Sequence, residues 1–281
     1  EFDVQLQARV EDRVRQVGSD GRLCLQADAE IARVNLLEKL LVTALVKIGN
    51  LVPGGGIWMN TQRPEWNDAN NALVGFGLSM VTLCYLRRFL VRLSDLVAEH
   101  GAENYRLSEE VLVFFDNVSG VLGHPDSAAA TRDDGARKAF MDRMGAASEA
   151  YRESVYAGLS GRKDTLRSAQ LTALVDRALA LLDDSIVASR RDDGLFHAYN
   201  ILKLDGHGHG VEHLQEMLEG QVAVLNTGLL EPAECLSLLN SLQQSRLFRP
   251  DQQSYILYPS TPLPGFLEKN VNDPQLVTQK A

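Results

Sequence analysis

The stretch Ala72-Leu73-Val74-Gly75-Phe76-Gly77-Leu78-Ser79-Met80-Val81-Thr82-Leu83-Cys84 decides how this chain is read. Wound as a helix, it is apolar almost all round. The pattern runs on to Glu99, ahead of His100-Gly101, and predicts one long helix over 69–99. A helix apolar on every side is enclosed by other helices. Its second half turns basic at Arg87, Arg88 and Arg92 and must approach solvent.

Working outward, the same period recurs. Ile31, Val34, Leu37, Leu41, Ala44, Leu45 and Ile48 form one face behind an Asp28 cap, and Gly49-Asn50 stops that helix. Ser108 caps a third helix, with Glu109 and Glu110 placed where carboxylates suit the macrodipole. Phe140, Met144, Ala147, Tyr151 and Val155 mark a fourth, closed by Gly158. Asp164 caps a fifth, with Leu171, Leu174, Ala178, Leu181 and Ile186 inward. Shorter helices are expected over 211–225 and 232–244, the latter opened by Pro232. Residues 1–27 alternate weakly and read as a small hairpin or irregular lead-in. The proline-rich tail 249–281 reads as extended.

The expectation is therefore an all-α chain, residues 1–281 forming one helical domain or part of one. If neighbouring helices are antiparallel, the loops 49–68, 123–133 and 190–210 share one rim. Loops are where chemistry concentrates.

Bulk properties exclude several classes. The chain has 281 residues, 45% of them hydrophobic, enough for a sizeable core. A net charge of −9 without a basic stripe argues against a nucleic-acid surface. No uncharged apolar run of about 18 residues suggests a membrane span. Cys24, Cys84 and Cys235 are widely spaced and odd in number, which fits reduced thiols and a cytoplasmic setting. His207, His209 and His213 match no standard metal spacing, so no metal is expected.

The segment leading into the long helix carries the chemistry. Arg63-Pro64-Glu65-Trp66-Asn67-Asp68-Ala69-Asn70-Asn71 follows the glycine run Gly54-Gly55-Gly56. Without a following Lys-Ser/Thr those glycines are not a phosphate loop. An indole stacks on a sugar face, amides read hydroxyls and a carboxyl serves the glycosidic oxygen. Each residue also has a structural reading. Asp68 is either a general acid or the cap of the helix from Ala69, and on spacing alone the cap is the commoner role. As an acid it needs a raised pKa, which Glu65 or burial against Trp66 would supply. Trp58 and Trp66, the chain's two tryptophans, are sugar platforms or loop packing. Asn67, Asn70 and Asn71 read hydroxyls or bond loop backbone. Arg191, His197 and Lys203 are anion-binding candidates in the second polar loop, set against a plain solvated loop.

At Glu65-Trp66-Asn67-Asp68 the chain resembles the cellobiose phosphorylase family of inverting glycoside phosphorylases. Their motif reads Asp-Trp-Asn-Asp after a glycine-bearing loop, with a long apolar helix behind it. The resemblance covers residues 50–100. It implies an (α/α)6 toroid, a general acid at Asp68 and a sugar contact at Trp66. Glu65 replaces the motif's first Asp, and Leu78 stands where relatives carry an acidic residue. The family's phosphate contacts find no counterparts here. Such a ring needs twelve helices and seven are read here, so the resemblance implies the C-terminal half of the domain and the remainder of a longer polypeptide.

The expected function is a carbohydrate-active enzyme, or the piece of one bearing its acid, acting on an oligosaccharide or glycoside with inversion. Asp68 protonates the departing oxygen. Arg63, Glu65, Trp66, Asn67, Asn71 and Trp58 bind substrate. No cofactor is expected, with inorganic phosphate a candidate co-substrate beside water. Water would need a second carboxylate, for which Asp192, Asp193 and Asp205 are the candidates. The rival reading is a non-catalytic helical-hairpin module that binds sugar or protein.

Overall fold

The computed structural model describes residues 3–26, 31–59, 73, 75–260 and 264–269. The chain is not all-α. A five-stranded antiparallel sheet, curled and ordered β1-β2-β3-β6-β7, stands among the helices, and two further strand pairs accompany it. The strands of the large sheet are β1 (Leu51–Val52), β2 (Gly56–Trp58), β3 (Gly77–Ser79), β6 (Tyr199–Leu204) and β7 (His209–His213). The pair β4 (Asn104–Ser108) and β5 (Lys163–Arg167) and the pair β8 (Phe248–Arg249) and β9 (Ser254–Tyr255) are both antiparallel. A toroid of helical hairpins contains no such sheet, so the fold implied by the resemblance is corrected to mixed α/β.

The helices are α1 (Val4–Val17), α2 (Leu36–Ile48), α3 (Met80–His100), α4 (Glu109–Leu122), α5 (Asp134–Ala157), α6 (Ser168–Ala188), α7 (Leu218–Leu225), α8 (Pro232–Gln244) and a single turn α9 (Phe266–Lys269). The expected helix over 69–99 is where the all-α reading fails. Gly77-Leu78-Ser79 is a strand, and the helix starts only at Met80, with the Ser79 side chain accepting from the Thr82 N–H as its cap. The Asp68 cap, expected for a helix from Ala69, lies outside the described residues. The cause of the later start lies at Gly75 and Gly77. Gly75 takes φ 89°, which L side chains avoid, and a Cβ at Gly77 would lie 2.4 Å from that of Leu73. Two glycines end one conformation and start another. The apolar run stays apolar because a strand buried on both faces reads much like a buried helix.

Other boundaries move for similar reasons. The lead-in holds α1, capped by Asp3, followed by a 3-10 turn over Gly18–Arg22. The first long helix begins at Leu36 with Asn35 as its cap; Asp28 lies outside the described residues. Asp164 belongs to β5, and α6 follows it. Residues 211–213, expected to open a helix, pair with β6 instead. The tail contains the β8–β9 hairpin.

Strand register sorts the sheet into two faces, because directly opposed residues point the same way. Leu51, Ile57, Ser79 and Tyr199 form one row. Leu51, Ile57 and Tyr199 join the main core with Leu83, Leu90, Phe114, Phe115, Phe140, Leu174 and Leu182 of the helices. Trp58, Leu78, Asn200 and His213 form the next row, on the opposite face. There Val52, Leu78 and Leu202 make a second, smaller core with Trp58, Val211 and Met141 of α5. Helix α5 thus lies over the sheet face that carries the polar residues. Among the described residues, no helix is long and apolar enough to cross a membrane.

Candidate functional site

Arg63, Glu65, Trp66, Asn67, Asp68 and Asn71 lie outside the described residues. The strands that flank them are described. Trp58 ends β2, half-buried, and its indole Nε1 donates to the Gly75 carbonyl at 3.1 Å. The Met59 N–H donates to the Gly77 carbonyl and the Gly75 N–H to the Met59 carbonyl. The next bond outward joins the Leu202 N–H to the Phe76 carbonyl. The returning end of segment 60–74 therefore sits beside Leu202 of β6, three residues before Asp205, and its departing end at Met59 sits one strand further away.

That turn is built by Asp205. Its Oδ1 accepts from the His207 and Gly208 N–H groups at 2.7 and 2.9 Å. These two bonds hold its carboxyl below the usual carboxylate range, so it is ionised at neutral pH. Lys203 pairs across the hairpin with Glu212 at 2.7 Å.

Arg191 and His197 lie before the other end of β6, which starts at Tyr199, so most of a strand separates His197 from Lys203, roughly 20 Å if extended throughout. The three anion-binding candidates are not brought together. The Arg191 guanidinium grips Asp193 through Nε and Nη2 and reaches Glu216 at 3.4 Å. The Asp193 bond keeps Arg191 charged and holds the Asp193 carboxyl low in turn. Glu216, only 4% exposed, also takes Arg246 at 2.8 Å.

His197 stacks on His213 with ring centroids 4.1 Å apart and planes 7° from parallel. Partner chemistry assigns the tautomers. His197 Nδ1 lies 3.0 Å from the Leu214 carbonyl, which only accepts, so Nδ1 carries the proton. Asn200 donates its amide to the Gly55 carbonyl, leaving Oδ1 to accept from His213 Nδ1 at 2.8 Å. Both lone pairs are thus on Nε2. Burial first, then the neighbouring His213 and Arg191, push the His197 imidazole down to about 4. Burial, with Arg191 and Arg137 nearby, lowers His213 too. Nearly parallel rings do not aim two Nε2 lone pairs at one point. Among the described residues, no group of three His, Cys, Asp or Glu side chains could hold a metal ion.

The three polar stretches do meet, through Arg137. This α5 side chain is 4% exposed and donates to the carbonyls of Pro53, Thr131 and His209 at 2.8, 2.9 and 2.7 Å. Asp134 balances its charge. One guanidinium therefore ties the 49–58, 123–133 and 190–213 stretches together. Ser185 Oγ accepts from the Gly54 N–H, and Asn200 holds Gly55. Arg137, Ser185, Asn200 and Glu216 were not among the expected site residues. Arg137 had a signal: with Phe140, Met144 and Ala147 it keeps the spacing of the buried stripe, so a charged residue sits where an apolar one was due.

A cleft of about 580 Å³ opens between the end of α2, the β1–β2 hairpin and α5. Trp58 lines it, opposite Gly145, Ser148 and Tyr156 of α5, and the Phe114–Tyr151 stack closes its base. Its volume lies in the range that small-molecule sites use. No protein-family model matches the chain, and no curated protein matches it either.

Proposed function

We propose that the chain cleaves a glycosidic bond with inversion and that Asp68 is the general acid. The observation that supports this reading best is the pairing of β3 with β6. It sets the returning end of segment 60–74 against Leu202, three residues before Asp205. A carboxyl that donates a proton and an ionised one that accepts from water are the two parts an inverting hydrolase needs, about 6.5–9.5 Å apart. Of Asp192, Asp193 and Asp205, Asp205 is the one on this side of the sheet. Asp193 lies beyond the far end of β6, gripped by Arg191.

Arg63, Glu65, Trp66, Asn67, Asn71 and Trp58 then contact the sugar. Water is favoured over phosphate as the nucleophile. Arg191 and Lys203 each have a carboxylate partner, and His197 is neutral at neutral pH. The reading rests on the chemistry of segment 63–71 and on the strands that flank it, and no longer on a toroid.

The test belongs in the complete polypeptide, with and without phosphate. Asp68→Asn should cost about 10²–10⁴-fold in turnover while sugar binding persists, since Asn cannot donate the proton. Asp205→Asn should slow hydrolysis without weakening binding, and Trp66→Ala should weaken binding. Wild-type turnover in Asp68→Asn would sink the catalytic reading. Sugar binding without turnover in the native protein would favour the non-catalytic module.

A further inference from the structure

We infer that the cleft between α2, the β1–β2 hairpin and α5 is a binding site for an uncharged mono- or disaccharide, with Trp58 as its platform and Ser148 as a hydroxyl reader. This inference rests on the carbohydrate reading above and assigns it a place. Four observations carry it.

The first is the platform. The one polar atom of the Trp58 indole is already bonded to Gly75, so the ring is fixed and has no polar demand of its own. A fixed aromatic face costs little further ordering when a ligand stacks on it. The second is Ser148. The residue lines the cleft, but its hydroxyl is turned against Gly49, out of solvent contact and without a hydrogen-bond partner among the described residues. A buried hydroxyl without a partner is unfavourable, and a turn about χ1 toward the cleft would let a ligand hydroxyl satisfy it.

The third is charge. The charged groups lining the cleft are Glu149 and Arg152, which face each other at 3.8 Å. Opposite charges that neutralise each other leave nothing to hold a carboxylate or phosphate, and the chain's net charge of −9 opposes anions further. Both groups remain hydrogen-bonding partners for sugar hydroxyls. The fourth is the mixture of surfaces. Tyr156, 63% exposed on α5, and Trp58 supply aromatic area for the apolar face of a sugar ring, while Ser148, Glu149 and Arg152 serve its edge.

Gly145 supplies a clean test. It lines the cleft, and a Cβ there would meet nothing within 4 Å. Gly145→Phe therefore fills the cleft while replacing a helical glycine by a better helix former. Binding would be measured by calorimetry with maltose, cellobiose and lactose, and with glucuronic acid and glucose 6-phosphate as charged probes. A neutral disaccharide should bind at least about tenfold more tightly than the charged probes. Gly145→Phe should lose at least about tenfold in affinity at an unchanged or raised Tm, and Ser148→Ala about threefold. Gly120→Phe, on α4 and away from the cleft, is the control and should bind as the wild type does.

Binding that survives Gly145→Phe within twofold overturns the proposal. So does failure of every neutral probe to bind the wild type, or equal binding of the charged ones. Turnover separates this failure from that of the catalytic reading. If Gly145→Phe loses binding while Asp68→Asn keeps full turnover, the cleft stands and the acid assignment falls. If Asp68→Asn abolishes turnover while Gly145→Phe binds and turns over normally, the acid stands and the cleft falls.

Discussion

Replacing Arg137 by Met should cost the protein more than any other single change at the polar end of the sheet. Met keeps the aliphatic stem and removes the guanidinium. The carbonyls of Pro53, Thr131 and His209 then lose a donor placed 2.7–2.9 Å away in a site only 4% exposed. Hydrogen bonds to charged groups contribute about 1.5–3 kcal/mol each, so three amount to roughly 4–9 kcal/mol gross. Removing the guanidinium also removes its own desolvation cost, which brings the expected net loss to about 3–5 kcal/mol. That is a large share of the roughly 5–15 kcal/mol that holds a typical domain folded. Arg137→Lys should fall between, because one ammonium cannot reach three separate carbonyls in the same plane.

Urea denaturation with linear extrapolation measures the loss, and an unchanged slope would show that the unfolded state is unaffected. Hydrogen exchange adds a local readout. The Gly54 N–H, bonded to Ser185 Oγ in the turn that Arg137 holds, should lose protection in Arg137→Lys before the core of α3 does. A Met variant within about 1 kcal/mol of the wild type would refute the idea that this guanidinium joins the three stretches.

Three other outcomes are expected. Because the folded His197 pKa is depressed to about 4, the unfolded chain takes up its proton first. Stability should then fall as pH drops from about 6.5 to about 4, and His197→Gln should flatten this slope. Full linkage would give about 3 kcal/mol, which screening at a half-buried site reduces to about 1–2 kcal/mol; identical pH–stability curves for the two proteins would contradict it. Ser79→Ala removes the side-chain acceptor for the Thr82 N–H and should cost about 1 kcal/mol in denaturation, whereas no loss would show that the cap is dispensable. Gly54→Ala must place a Cβ 2.3 Å from the Thr131 carbonyl at φ 74°, so it should destabilise by about 2 kcal/mol or more, and a neutral result would show that the turn relaxes freely.

The amphipathic helices were legible in the chain itself because helix periodicity is local. Phe140, Met144 and Ala147 predict the buried face of α5, and Leu171, Leu174, Ala178 and Leu181 that of α6, without knowledge of any partner. Candidate chemistry was legible too, since two carboxylates, an indole and three carboxamides cluster visibly in segment 63–71. The sheet was not. Its central strand β3 is three residues long and buried on both sides, so nothing within Gly77-Leu78-Ser79 distinguishes it from a helical turn. What makes it a strand is β2 on one side and β6, some 120 residues later, on the other. Hydrogen bonds between distant segments leave no local period to read. The same reason hid Arg137 and Asn200, whose partners are carbonyls from turns remote in sequence. It also separates Lys203 from Arg191 and His197, which the sequence groups in one polar loop. Residue type declared which groups could carry chemistry; long-range strand pairing and one buried guanidinium decided which of the described groups face each other.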